Sequence, residues 1–312
     1  MLEQPIVKVL EGCRSVLLAG CGGGYDVMGA VPLYQSLAAR GIRVHLASLS
    51  FTLLNALDAA RQDRLCPNLY EVDVDAATER QYCPEAWLAW FLDERLGDGH
   101  VVHCFDKTGV RPLAAAYATL VERLAIDAIV LIDGGIDALL RGDERSLGTP
   151  TEDLTSLAAI SALPVRTKVL ACVGMSAELR DGIGHADALE RIASHTRRGS
   201  FLGAAALLPG TPAGDLYLDA VEFVFSHQAG VRRSHVHTVV RDACRGEFGE
   251  RGPHVWISPL MNMYWFFDAA AVIAEHCFLD HIRDTEGVWD VLRRIEGLRN
   301  HMTIRPHNAI PI

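Results

Sequence analysis

Five short apolar runs, separated by helical patterns and ending in glycine, hydroxyl or carboxylate groups, constrain this chain more than any other feature. Ser15–Gly20, Arg43–Leu49, His100–Phe105, Ile129–Ile132 and Lys168–Val173 are four to seven residues long, too short for helices of their own. Each reads as a strand, and the intervening segments have room for crossover helices. Pro84 and Pro112 open two such patterns, as proline does in a first helical turn, and Ala186–Arg198 forms another that stops at Gly199. Strand and helix alternating from residue 15 to 199 predict a doubly wound α/β fold, a mostly parallel, Rossmann-like sheet. Beyond the loop-like Leu208–Asp215, helices are expected over Leu216–Gln228, Ser234–Cys244, Asn262–Cys277 and Thr285–Arg299, with one short strand at His254–Ser258. The 312 residues thus read as one domain, a core of about 14–207 with a helical C-terminal extension of about 208–312.

Open α/β sheets bind ligands outside the carboxyl ends of their strands. Two such ends stand out. Ser15–Gly20 runs into Cys21-Gly22-Gly23-Gly24-Tyr25-Asp26, a glycine loop before a helix, the arrangement in which amides face an anion. Pro32 in that pattern marks the true first turn of the helix and leaves 24–31 as a ligand loop. Ile129–Ile132 runs into Asp133-Gly134-Gly135-Ile136-Asp137, then Arg141-Gly142-Asp143-Glu144, then Thr149–Asp153. Thr149, Pro150 and Glu152 have the spacing of a capping box, and Asp153 falls in the first helical turn, so helix chemistry accounts for Glu152 and Asp153. Asp133, Asp137, Asp143 and Glu144 are therefore weighted above them. Lys168–Val173 ends in Gly174-Met175-Ser176-Ala177-Glu178-Leu179, another strand end with an acid.

Composition removes several alternatives. A formal charge of −10 argues against nucleic-acid and anionic-membrane surfaces, which need clustered Lys and Arg. Half the residues are hydrophobic, yet no apolar run approaches the length of a membrane span. The first residues lack the basic segment and cleavage site of a secretory leader. Eight scattered cysteines without a CxxC pair read as reduced thiols, so a soluble cytoplasmic protein is expected. A homo-oligomer is left open.

GxSxG, HExxH and a P-loop lysine are absent, which disfavours serine hydrolases, zinc proteases and P-loop kinases. A dinucleotide site would want an acid after the second strand, where this chain has Ser48, Ser50 and Thr52. That lowers the nicotinamide and S-adenosylmethionine readings, which the glycine loop otherwise invites. His235 and His237 look like a metal pair, but Ser234 reads as a helix N-cap, and positions two apart on a helix do not face each other. His276, His281, His301 and His307 have no metal-ligand spacing. Glu71, Asp73 and Asp75 read as the solvated face of an edge strand.

Taken in order, the GGGxD loop at Gly22–Asp26, Pro32-Leu33, Asp133–Asp137, Gly142–Glu144, Pro150 with Asp153, and Glu178-Leu179 resemble an archaeal and bacterial family called domain of unknown function 1152. The resemblance covers most of residues 14–200. It implies the α/β fold and no settled activity.

The expected site gathers Gly22, Gly23, Gly24, Asp26, Ser50 and Asp106 as ligand- or cofactor-binding groups. Asp133, Asp137, Arg141, Glu144 and Glu178 are the expected catalytic groups, with Arg141 neutralising developing negative charge. Asp133, Asp137 and Asp143 would hold Mg²⁺, the hard cation such oxygen ligands suit. The expected function is hydrolysis or group transfer on a small polar metabolite, phosphorylated or nucleotide-like. The alternatives are a non-catalytic sensor of a small ligand and an NAD- or S-adenosylmethionine-dependent enzyme.

Overall fold

Strands buried on both faces carry apolar residues at every position, and this is how the apolar runs fold. A computed structural model describes residues 4–306 apart from 58, 65, 98 and 229–232, so His307 lies outside the described residues. The strands are β1 (Ser15–Gly23), β2 (Arg43–Leu49), β3 (Arg61–Gln62), β4 (Leu69–Val72), β5 (Val102–Phe105), β6 (Ala128–Asp133), β7 (Thr167–Val173), β8 (Phe201–Ala206), β9 (Gly249–Gly252), β10 (Val255–Ile257) and β11 (Met263–Asp268). The helices are α1 (Pro5–Leu10), α2 (Val31–Ala38), α3 (Pro84–Leu96), α4 (Val110–Arg123), α5 (Pro150–Ser161), α6 (His185–Arg198), α7 (Pro212–His227), α8 (His235–Cys244), α9 (Ala269–Glu275), α10 (Leu279–Ile282) and α11 (Val288–Arg299).

All of β6 is buried, and its pleat divides the core. Val130 and Ile132 pack with α2, α3, α7 and α8 on one face, whereas Ile129 and Leu131 pack with α4, α5, α6, α9, α10 and α11 on the other. Each such side chain is worth roughly 1.5–3 kcal/mol of burial, so both layers are bound to the sheet. The fold is doubly wound, as expected. No helix among the described residues is long and apolar enough to cross a membrane.

Strand order in the main sheet is β3-β4-β5-β2-β1-β6-β7-β11-β8. Pairing is parallel from β5 through β7, and among the described strands only β4 and β11 run against the rest. From β1 the chain winds outward through β2 to β5, then returns to β6 on the other side of β1. The connections after β1 and β6 therefore diverge and leave a crevice between them. That switch point sets the loop Gly22–Asp26 beside Asp133–Asp137.

The C-terminal third departs from the helical reading. Segment 262–277 is strand β11 followed by the short helix α9, and β11 inserts antiparallel between β7 and β8. Its run Met263-Tyr264-Trp265-Phe266-Phe267 has no period that distinguishes strand from helix, and sheet pairing decides the outcome. Val255–Ile257 is a strand as expected, but it pairs with β9 in a separate hairpin. Pro32 does sit in the first turn of α2, while Gly24–Ala30 forms a 3-10 helix and not an extended loop.

Candidate functional site

The switch-point crevice is a cleft of about 650 Å³ in which acids from three chain segments converge. Asp26 comes from the 3-10 turn after β1, Asp133 ends β6, and Asp153 lies in the first turn of α5. One carboxylate oxygen from each lies within 4.8 Å of the other two. The glycines make this approach sterically feasible. A Cβ at Gly22 would stand 2.7 Å from Asp26 Oδ2 and 2.9 Å from Asp153 Oδ1, and one at Gly134 would stand 2.5 Å from Asp26 Oδ1.

The glycine loop also does something other than cradle a phosphate. The Gly22 amide donates to Asp26 Oδ2 at 2.9 Å, and the Gly134 amide donates to the same carboxylate. The loop is a seat for a carboxylate of the protein itself. Phe51 lies against Gly23 and covers that part of the loop.

A second pair of acids lies beside the triad. Asp137 Oδ2 accepts from the Thr149 amide at 2.7 Å, and Glu178 Oε2 accepts from the amides of Ile136 at 2.8 Å and Asp137 at 3.2 Å. The Asp137 and Glu178 carboxyls also share a hydrogen bond. Burial pushes the acids of the cleft up: Asp26 to about 7 and Asp137 to about 6, in both cases against amide hydrogen bonds that favour the charged form. Asp133, Asp153 and Glu178 are raised well above the carboxylate range, by burial first and by their acidic neighbours second.

Asp153, expected to serve the start of α5, also faces the cleft. It is 3% exposed, and its Oδ1 has no hydrogen-bond partner among the described residues. Nor does the capping box form. The Thr149 amide turns to Asp137, its side chain makes no cap, and Glu152 Oε1 pairs with Lys107 Nζ at 2.5 Å. The helix start is thus held by the site, and Asp153 is left facing Asp26 and Asp133. Nothing local signals this; it needs α5 to dock on β1.

Of the other expected site residues, Gly22, Gly23, Asp26, Asp133, Asp137 and Glu178 line the cleft, and Arg141, Asp143 and Glu144 do not. Arg305 pairs with Asp143 Oδ1 at 2.9 Å and Glu144 Oε1 at 2.5 Å, while Glu144 also takes the amides of Arg141 and Gly142. This acidic segment is thus a clasp for the chain after α11, and Asp143 lies away from the triad. Ser50 Oγ accepts from the Thr52 amide at 3.1 Å. The wholly buried Glu85 accepts from Ser48 at 2.9 Å, and it lines no part of the cleft, so it does not supply the ribose acid of a dinucleotide site. Asp106 is partly buried, and burial raises it despite a hydrogen bond with Tyr70.

His237 is buried between Tyr217 and the carbonyl of Tyr25, at 2.8 Å and 2.9 Å, and burial lowers it to about 4. His235 reaches the Ala177 carbonyl at 3.2 Å, so the two imidazoles do not converge. Glu71 and Asp73 pair with Arg61.

A larger groove of about 790 Å³ lies at the opposite edge of the sheet, lined chiefly by α1, α2 and the segments preceding β1 and β2. It gathers no converging acids, and the switch point is the better candidate for chemistry. The donor set there is all oxygen, with one buried carboxylate oxygen unpartnered, which suits a hard divalent cation.

No curated protein and no solved structure matches the chain. A family model described as a protein of unknown function, DUF1152, matches residues 92–303. The match takes in β6, α5 and β7 and the strand β11 beyond them, and it starts after the glycine loop. On that match, which spans well over half its length, the chain belongs to the DUF1152 family.

Proposed function

We propose that the protein is a divalent-cation-dependent enzyme, a hydrolase or group transferase, acting on a small polar metabolite that carries a phosphate. The observation that carries this reading is that Asp26, Asp133 and Asp153 each bring a carboxylate oxygen within 4.8 Å of the other two, while Asp153 Oδ1 is buried with no hydrogen-bond partner among the described residues. Three carboxylates drawn together under burial repel one another, and burying unpaired charge is costly. A cation held by Asp26, Asp133 and Asp153 would neutralise them and supply the positive charge that admits a phosphate to an acid-lined cleft. Asp137 and Glu178 hold a proton between their carboxyls, and Asp137, at about 6, is placed to give or take it near neutral pH.

Purified protein screened with phosphorylated metabolites should show Mn²⁺-dependent thermal shifts and phosphate release or transfer. Glu178→Gln keeps the acceptor for the Ile136 and Asp137 amides, so it should preserve Mn²⁺ binding and slow turnover by roughly 10²–10⁴-fold. Binding without turnover in the wild type would favour the sensor reading, and no cation-dependent shift with any compound would defeat the proposal. Gly22→Ala should weaken Mn²⁺ roughly ten- to a hundredfold, because it displaces the seat of Asp26 and crowds Asp153. Isothermal titration checks this, and unchanged affinity would place the cation elsewhere.

A further inference from the structure

The cleft lining also includes Tyr25 and Arg233, which take no part in the cation chemistry proposed for it. Tyr25 is 7% exposed, lines the cleft, and has a hydroxyl with no hydrogen-bond partner among the described residues. Its backbone is held firmly. Neutral His237 donates from Nε2 to the Tyr25 carbonyl at 2.9 Å and accepts from the Tyr217 hydroxyl at Nδ1, at 2.8 Å. The Tyr25 ring packs edge-on against Tyr82 and Phe225, each at 5.7 Å between centroids. A hydroxyl so fixed cannot swing away to find water.

Arg233 lines the same cleft, just before α8. Its guanidinium lies 5.8 Å from the centre of the Phe225 ring, so Tyr25 and Arg233 share that ring as a support. Although the cleft is lined with acids, no hydrogen bond or ion pair engages Arg233 among the described residues. A phenol proton and a guanidinium fork are donors, and together they select an acceptor-only group.

We infer that Tyr25 and Arg233 form a second anion-recognition point, so that the substrate carries two separated anionic groups. One is the phosphate that enters with the cation, and the other is a carboxylate or second phosphate that meets this pair. The inference rests on the cation-dependent reading above. It adds specificity to it, since a compound with a single charged end leaves the Tyr25 hydroxyl buried and unpaired.

The test is calorimetric titration in saturating Mn²⁺ with three probes. Glycerol 3-phosphate has one anionic end, 3-phosphoglycerate adds a carboxylate, and fructose 1,6-bisphosphate adds a phosphate. At least one two-ended probe should bind about tenfold more tightly than glycerol 3-phosphate, the worth of a charge-assisted hydrogen bond. Which of them gains identifies the second group. Tyr25→Phe and Arg233→Gln should each remove that advantage and leave Mn²⁺ and glycerol 3-phosphate affinities within twofold of wild type. No advantage in the wild type, or one that survives both substitutions, overturns the inference while Mn²⁺ binding keeps the cation site standing. Failure of Mn²⁺ itself to bind removes both. Independently of any probe, Tyr25→Phe should leave the Tm of the ligand-free protein unchanged or raised, because it deletes an unpaired hydroxyl. A fall of several degrees would show that the hydroxyl has a structural partner and would overturn the assignment.

Discussion

Asp153→Asn should lower Mn²⁺ affinity on the order of 100-fold and, at the same time, raise the Tm of the cation-free protein. The two signs have one cause. Asparagine keeps the shape of the side chain and removes an acid buried beside Asp26 and Asp133, where burial first and the repulsion of neighbouring acids second hold its carboxyl well above the ordinary range. Without a cation that repulsion destabilises the fold, so relieving it stabilises. With a cation the same charge is a ligand, and cation affinity depends steeply on ligand charge. Asp133→Asn should behave alike. Asp143→Asn, in the clasp around Arg305, should leave Mn²⁺ affinity unchanged and lower the Tm slightly. Titration calorimetry and thermal melts in EDTA distinguish these patterns. Destabilisation by Asp153→Asn without any loss of Mn²⁺ binding would mean that Asp153 is a structural acid.

The second large effect is in pH. In the fold the Asp26 and Asp137 carboxyls rise from 3.8 to about 7 and about 6, whereas unfolded they ionise near the ordinary value. A raised carboxyl keeps its proton in the folded state after the unfolded chain has released it. Its contribution to stability is therefore complete below about pH 4 and is lost as pH rises through 6 to 7. For Asp26 alone the shift corresponds to at most roughly 4 kcal/mol, a figure that its partial exposure to water reduces. A bound cation would replace the lost protons. The rise in Tm produced by Mn²⁺ over EDTA should accordingly be small at pH 5 and grow through pH 8. Taking the difference cancels the ordinary acid sensitivity of the surface ion pairs. A cation-induced rise that is flat or shrinks over that range would count against the acid cluster as the binding site.

The parts of this molecule that could be read in advance are those in which the local residues decide the structure. Residues 128–132 of β6 and 169–173 of β7 are apolar at every position because both faces are covered, and the glycines after β1 and β6 mark chain that must turn and let side chains approach. Asp26, Asp133, Asp137 and Glu178 follow from that pattern, being acids at the carboxyl ends of central strands. What escaped was set by long-range docking. Asp153 had a sufficient local explanation as a first-turn acid, and only the seating of α5 against β1 brings it to Asp26. Arg141, Asp143 and Glu144 had the density of a site, but Arg141 pairs with Asp143, and the partner of the two acids is Arg305, more than 150 residues away in sequence. The aromatic run of β11 carries neither helix nor strand period, and its identity comes from the neighbours β7 and β8.

β11 has one more consequence, for the order in which the chain is made. β7 leaves the ribosome some ninety residues before the strand that pairs with its far edge. During that interval Val169, Leu170, Ala171, Cys172 and Val173 belong to a hydrophobic strand with one row of amides and carbonyls unpaired, the edge that invites another chain. A ribosome that stalls between about residue 200 and residue 260 would therefore release a fragment with β6 and β7 formed and an adhesive border, and such products should be found among chaperone clients and aggregates.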